Sequence, residues 1–329
     1  MSLPYPKIEL HVHLEGSVRP AELLRIARRN SFPLPASDEA SLREFYRFRD
    51  FDHFIELWIT TTPAIQTEAD FRDVVLGYAR EAASHGAVYI EGIFAPAERI
   101  AGGASWDEVF TGFCDGAALA AEETGVIVRL TPDIPRGFPL DAAIETARYA
   151  VKYRDRGVVG LGLGGLEAPF PPEPYETAFA IARHGGLGSV PHAGEVAGPA
   201  SIRGALDALG ADRLRHGIRA VEDVDLLAEL ADRQIVCDVC PISNVRTRAV
   251  DTIANHPLPL MLAAGVPCSI STDDPAMFET DLAVDYAAAE KLGLAPRDAF
   301  AAGALGALCD DATRARLVEV RDTFAWDAT

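Results

Sequence analysis

The sequence predicts a closed parallel (β/α)8 barrel of the TIM type, with a helical insertion after the first strand and extra helices at the C-terminal end. Two observations carry that expectation. Eight short, β-rich apolar runs recur along the chain, and longer amphipathic stretches separate them. The chain has 329 residues, 49% of them hydrophobic, which is ample for one large core. Barrels of this class routinely exceed ~250 residues as one domain, so a single domain over residues 1–329 is expected.

The eight runs are Lys7–Leu14, Ala87–Phe94, Val126–Ile134, Val158–Gly165, Gly188–Glu195, Arg213–Ile218, Ile235–Ser243 and Pro267–Asp274. Helical patterns lie between them, as at Asp141–Tyr153, Pro174–His184, Ala200–Leu209 and Val221–Asp232. An open doubly wound sheet is the alternative. A Gly-rich phosphate loop after the first strand would favour it, but Glu15-Gly16-Ser17 stands there instead. The long gap from Gly16 to Gly86 reads as several helices, with a capped start at Ser37-Asp38-Glu39. Within it, Asp50–Thr62 carries Phe51, Phe54, Leu57 and Trp58 at helical spacing. That stretch reads equally as a packing helix or as an apolar lid over a pocket. Beyond Asp274 the chain stays helical.

The net charge is −19, from 30 basic and 49 acidic residues. Such a surface repels nucleic acid and anionic membranes, so neither is expected as a partner. The five cysteines suggest no disulfide framework. Neither a secretory leader nor a membrane-length apolar run is expected, and a reducing cytoplasm fits this pattern. Nothing in the sequence sets an oligomeric state.

In such a barrel the reacting groups stand at the C-terminal strand ends. The first strand ends in His11-Val12-His13, and residues two apart on a strand face the same side. The fifth ends in His192-Ala193-Gly194-Glu195. The sixth contains Arg215-His216-Gly217, and the eighth ends in Ser271-Thr272-Asp273-Asp274-Pro275. Four of the eight histidines thus fall at three strand ends, with two aspartates and a glutamate. Buried carboxylates are rare unless paired or bound to metal. Three imidazoles and a carboxylate suit zinc or another borderline divalent ion.

Gly16, Gly164, Gly165, Gly194 and Gly217 surround these positions and would let a flat ligand approach the backbone. Cys237 and Cys240 resemble a metal-binding pair, but residues three apart on a strand face opposite sides, so packing is favoured. Asn244 ends the seventh run near the site, as a structural residue or an orienting one. His53, His85, His184 and His256 fall in helices or loops and read as surface or capping residues.

The order His-x-His, His-Ala-Gly-Glu, Arg-His-Gly and Ser-Thr-Asp-Asp-Pro resembles the adenosine deaminase family of the amidohydrolase superfamily. The likeness runs from Lys7 to about Pro275. It implies one zinc ion per chain, held by His11, His13, His192 and Asp273. It implies that Glu195 holds a proton for purine N1 and that His216 orients the attacking water and helps to deprotonate it. It further implies that Asp274 meets N7 and that the backbone N–H of Gly165 meets N3. The expected partner is therefore a small 6-aminopurine.

Glu15 stands where adenosine-specific members carry Asp against the ribose, as in adenine and aminodeoxyfutalosine deaminase-like relatives. Acidic residues that members often carry at Gly162 and Leu166 are absent. Glu15 is thus expected to reach into the space beyond N9, beneath a roof of Phe51, Phe54 and Trp58. Arg19, Arg47 and Arg49 would lie near an acidic substituent there.

Three rivals are less well matched. A binuclear amidohydrolase would place a bridging lysine after the fourth strand, which has none. A cytidine-deaminase type would carry His-x-Glu and Pro-Cys-x-x-Cys. An inactive purine-binding protein would have lost a ligand or Glu195. The sequence leaves adenosine, adenine and the larger 6-aminodeoxyfutalosine open as substrates, with a nucleoside favoured.

Overall fold

The computed structural model describes residues 4–326. Nine strand segments follow one another: β1 Lys7–His13, β2 Ala87–Phe94, β3 Ile127–Pro135, β4 Gly160–Gly164, β5 Gly188–Ser189, β6 His192–Ala193, β7 Arg213–His216, β8 Val236–Val239 and β9 Cys268–Ile270. They form two parallel sheets, in the orders β1-β2-β3-β4-β5 and β6-β7-β8-β9. The predicted fifth strand is thus split into β5 and β6. Pro191 lies in the gap and has no N–H to give to a ladder, although its carbonyl still accepts from Arg215 N–H at 3.0 Å. On the other side, His13 N–H donates to Asp273 O (2.7 Å) and Asp273 N–H to His11 O (3.1 Å). That pair of bonds joins β1 to the chain after β9, and the eight predicted strands form a ring.

The strand sequences follow from their two environments. On β1 the apolar Ile8, Leu10 and Val12 alternate with Glu9, His11 and His13, all of them buried or nearly so. Ile8 and Leu10 pack with Phe300 and Ala304 of the helix Pro296–Gly306. A register shift between Glu9 and Val12 breaks that alternation: Glu9 bonds Tyr78 of the insertion and Thr272, while the barrel interior beside Leu10 is polar and cross-linked. There Arg213 donates to Glu91 (2.7 Å), Asp238 (2.6 Å) and two backbone carbonyls. Buried charges persist only when paired in this way.

The insertion holds helices Pro20–Arg29, Glu39–Phe45, Phe51–Thr61 and Glu68–Ser84. Asp38 caps the second of these with Ser41, and Asp50 caps the third by accepting from His53 N–H. Helices Leu282–Lys291, Pro296–Gly306 and Asp311–Thr323 close the chain. The other helices match their predicted stretches to within a few residues. One boundary matters more: the seventh predicted strand ends at Val239, and Pro241 opens a short helix, Pro241–Arg246. Asn244 therefore sits on a helical turn above the strand. Among the described residues, no helix is long and apolar enough to cross a membrane.

Candidate active site

The four strand-end motifs converge at one mouth of the ring. His192 Nε2 lies 3.0 Å from His11 Nε2 and 3.2 Å from His13 Nε2. Asp273 Oδ1 lies 3.1 Å from His11 Nε2 and 3.3 Å from His13 Nε2. His192 Nδ1 donates to Leu163 O at 2.9 Å, so its Nε2 presents a lone pair to the cluster. Burial holds His192 and His11 well below the ordinary histidine value, which keeps both neutral. A lone pair of His192 and the carboxylate of Asp273 thus meet beside His11 and His13 Nε2, at a point where one cation would be held by all four. Donors on a tetrahedral ion at ~2.0–2.1 Å stand ~3.3–3.4 Å apart, close to the spacing here. The residues present therefore fit a divalent ion.

The neighbours of this cluster are held firmly. Ser243 Oγ donates to Asp273 Oδ2 at 2.6 Å. Asp273 and His216 both take left-handed backbone conformations, each with φ 65°. For residues other than glycine this costs on the order of 1–3 kcal/mol each. The turn aims both side chains into the same space: His216 Nε2 lies 3.5 Å from Glu195 Oε2 and 3.9 Å from Asp273 Oδ2. Glu195 is buried and accepts from Thr247 Oγ1 at 3.3 Å. Burial, with repulsion from Asp273 and Glu167, pushes its carboxyl well above the usual range. Burial does the same to Asp274, where attraction to His13 opposes the shift and repulsion from Asp273 adds to it. Asp274 Oδ1 has no partner within the protein.

A cavity of about 420 Å³ opens above these groups. His13, His192, His216, Asp273, Asp274, Glu195, Gly164 and Gly165 line its polar end. Gly165 has φ 97°, which suits glycine, and a side chain there would meet only Arg136. Phe51, Phe54, Ile55, Trp58 and Ile59 line the apolar end, so the insertion helix covers the cavity while Leu57 packs in the core.

Several expectations are corrected. Glu15 does not line the cavity: it is buried, and its Oε1 accepts from the N–H of Ala95, a wall residue. Its Oε2 has no partner within the protein. Arg19 is occupied by Glu81, Pro275 O and Thr280 O, and Arg47 pairs with Glu44. The arginines that do line the wall are Arg99 and Arg136.

The glycines mostly make room for the protein itself. A Cβ on Gly16 would fall 1.8 Å from Asp274 Oδ1, and one on Gly162 would fall 2.0 Å from Asp133 Oδ1. Asp133 fills the space beside Gly162, pairing with Arg215 and reaching within 3.4 Å of His192 Nδ1. Cys237 packs against Gly217, whereas Cys240 Sγ stands 3.6 Å from His11 Nδ1. Neither cysteine belongs to a potential metal cluster among the described residues.

Two positioning groups escaped the sequence reading. Glu167 accepts from the N–H groups of Gly194, Glu195, Val196 and Ala197, and so fixes the turn that presents Glu195. His256 is buried, contrary to expectation, and bonds Asn244, which in turn bonds His216. A glutamate two positions beyond the expected fourth-strand end at Gly165 gave no hint of the first. The dipeptide His256-Pro257, in an apparent loop, gave none of the second.

Comparison with known proteins agrees with this geometry. Residues 6–323 match the adenosine deaminase family model. The aminodeoxyfutalosine deaminase of Acidothermus cellulolyticus is 50% identical, over 98% of this chain and 93% of its own length. The crystal structure of an adenine deaminase from Arthrobacter aurescens superimposes with a TM-score of 0.92 at 32% identity, covering 98% of this chain and all (100%) of the other. An amidohydrolase from Burkholderia ambifaria with bound zinc superimposes at 0.86 and 26% identity, covering 99% of this chain and 93% of the other. The chain belongs to the adenosine deaminase family and is a hydrolase that removes the amino group of an adenine-type ring.

Proposed function

We propose that the protein is a zinc-dependent deaminase of an adenine nucleoside, with 6-aminodeoxyfutalosine as the favoured substrate. The observation that carries this reading is the shape of the cavity. Its polar end holds the groups suited to a purine edge, and its apolar end runs on beneath Phe51, Phe54 and Trp58. A volume of about 420 Å³ lies in the range of sites for ligands much larger than a bare base, ~300–1,000 Å³. Arg99 and Arg136 stand in that wall: Arg99 pairs with Glu98, whereas Arg136 bonds the carbonyls of Phe170 and His192 and is the positive charge a carboxylated substituent would meet. The 50% identical relative named aminodeoxyfutalosine deaminase supports the same choice.

His11, His13, His192 and Asp273 would hold the zinc, which supplies Lewis-acid activation of water near neutral pH. The remaining steps belong to the chain. Glu195, kept protonated by its burial, donates to N1 as the attack on C6 moves electron density there. Asp274, protonated for the same reason, donates to N7, and the Gly165 N–H meets N3. His216 holds the attacking oxygen in line with C6. Of the two protons of the attacking water, one restores the Glu195 carboxyl and the other passes to the departing nitrogen as the C6–N bond breaks, so that ammonia leaves a 6-oxopurine. In all, one water is consumed for each ammonia released.

A free-adenine deaminase is the second reading. It is favoured by the Arthrobacter aurescens structure and by recognition groups that touch only the purine. The test is to incubate the zinc-loaded protein with 6-aminodeoxyfutalosine, adenosine or adenine and to quantify ammonia and the 6-oxo product. Equimolar release from a nucleoside supports the proposal; release from none of the three rejects it.

A further inference from the structure

We infer that Leu258, His256 and Asn244 form a relay that fixes the proton of His216 on Nε2, so that His216 meets the attacking oxygen as a hydrogen-bond donor. The inference rests on the reading of His216 as the group facing that oxygen. The chain of reasoning begins at a backbone group whose proton cannot move. Leu258 N–H donates to His256 Nδ1 at 3.0 Å, so His256 Nδ1 must carry a lone pair. His256 is 3% exposed, and burial, with His216 nearby, lowers it to about 4, so the ring is neutral. Its single proton therefore sits on Nε2, 3.1 Å from Asn244 Oδ1. That contact fixes the amide of Asn244, because only its oxygen can accept there.

The amide nitrogen then faces the other way. Asn244 Nδ2 lies 3.1 Å from His216 Nδ1 and must donate to it. Nδ1 of His216 thus carries a lone pair, and the proton of the neutral ring sits on Nε2. Nε2 is the atom that faces Glu195 and Asp273 across the polar end of the cavity. All three relay groups are buried, so water does not compete for these bonds. In this arrangement His216 has no free lone pair on Nε2 with which to take a proton from the attacking water. It contributes a fixed dipole aimed where negative charge develops. Asn244 and His256 are positioning residues in this scheme.

The direct test is spectroscopic and needs no turnover. Long-range 1H–15N correlation spectra of the zinc-loaded full chain, labelled with 15N-histidine, report which ring nitrogen carries each proton. His216→Gln and His256→Gln spectra assign the two rings. The relay predicts protonated Nε2 and bare Nδ1 in both; a protonated Nδ1 on His216 overturns it. A second arm uses Asn244→Asp, which puts an acceptor against His216 Nδ1 and draws the proton there. In a serine protease a catalytic histidine held in the wrong tautomer loses ~10⁴ in kcat. Here kcat should fall at least ~100-fold with KM and zinc content near wild type, and unchanged kcat overturns the relay. His256→Gln, which can still donate to Asn244, should retain more of kcat than His256→Leu. If the nucleoside reading fails while the tautomers are as stated, the relay stands on its own.

Discussion

Glu167→Gln isolates the structural support of the proposed proton donor. Glu167 is 3% exposed and does not itself line the cavity, yet its two oxygens accept from four successive backbone N–H groups. Oε2 takes three, from Glu195, Val196 and Ala197, at 2.9–3.1 Å, and Oε1 takes the fourth, from Gly194. Glutamine can keep its oxygen on the group of three and must then turn its NH2 toward the N–H of Gly194. Three bonds fall from charge-assisted to neutral, ~1 kcal/mol each, and one buried donor loses its acceptor, ~1–3 kcal/mol, for a total of about 4–6 kcal/mol. That is a large part of the ~5–15 kcal/mol by which domains are stable. Urea unfolding of the variant and wild type at one zinc concentration measures the loss, and kcat on the same preparations reports the placement of Glu195. A loss below about 1 kcal/mol with unchanged kcat would refute the role assigned to Glu167.

Three further outcomes follow from the site and its surroundings. Glu195→Gln should keep zinc and purine binding while kcat falls ~10²–10⁴-fold, the usual contribution of a general acid; near-normal turnover removes Glu195 from the mechanism. Asp274→Asn should weaken turnover and leave zinc in place, as metal analysis will show; loss of zinc would mean that the two aspartates have exchanged roles. Asp285 is raised to about 8 by burial, against hydrogen bonds from Ile242 N–H and Thr280. The folded state therefore holds a proton that the unfolded state, with its carboxyl at ~3.9, has released. Its contribution is favourable below that value and is lost as pH rises toward about 8. Asp285→Asn should flatten the fall in Tm between pH 5 and pH 8, and an unchanged slope rules Asp285 out as its source.

The ring and its reacting groups were legible because they follow short-range rules. The i, i+2 spacing of His11 and His13 puts both on one side of β1, and Val12 between them packs into the core on the other. Phe51, Phe54 and Trp58 were placed by helical spacing alone. What escaped depends on partners distant in sequence or on the backbone. Glu167 bonds main-chain groups about thirty residues on, and Asp133 bonds Arg215 from another strand. His256 lies beside a proline in what reads as a surface loop, and only the packing of that loop buries it. Gly16 reads as an opening for a ligand, whereas the carboxylate of Asp274 occupies the space it leaves, as Asp133 does beside Gly162. Glu15 follows from the family resemblance and the arginines from their nearness to the insertion in sequence, and the cavity wall instead draws on Ala95, Arg99 and Arg136.

The measurement that bears most directly on the proposed function is a side-by-side comparison of kcat/KM for 6-aminodeoxyfutalosine, adenosine and free adenine with the zinc-loaded enzyme. The purine-reading groups are common to all three, so any preference comes from the apolar end of the cavity and its two arginines. The account predicts that 6-aminodeoxyfutalosine leads and that free adenine trails by at least tenfold, about 1.4 kcal/mol of transition-state preference. A tenfold lead for free adenine would contradict the nucleoside assignment while leaving the family's deamination chemistry intact.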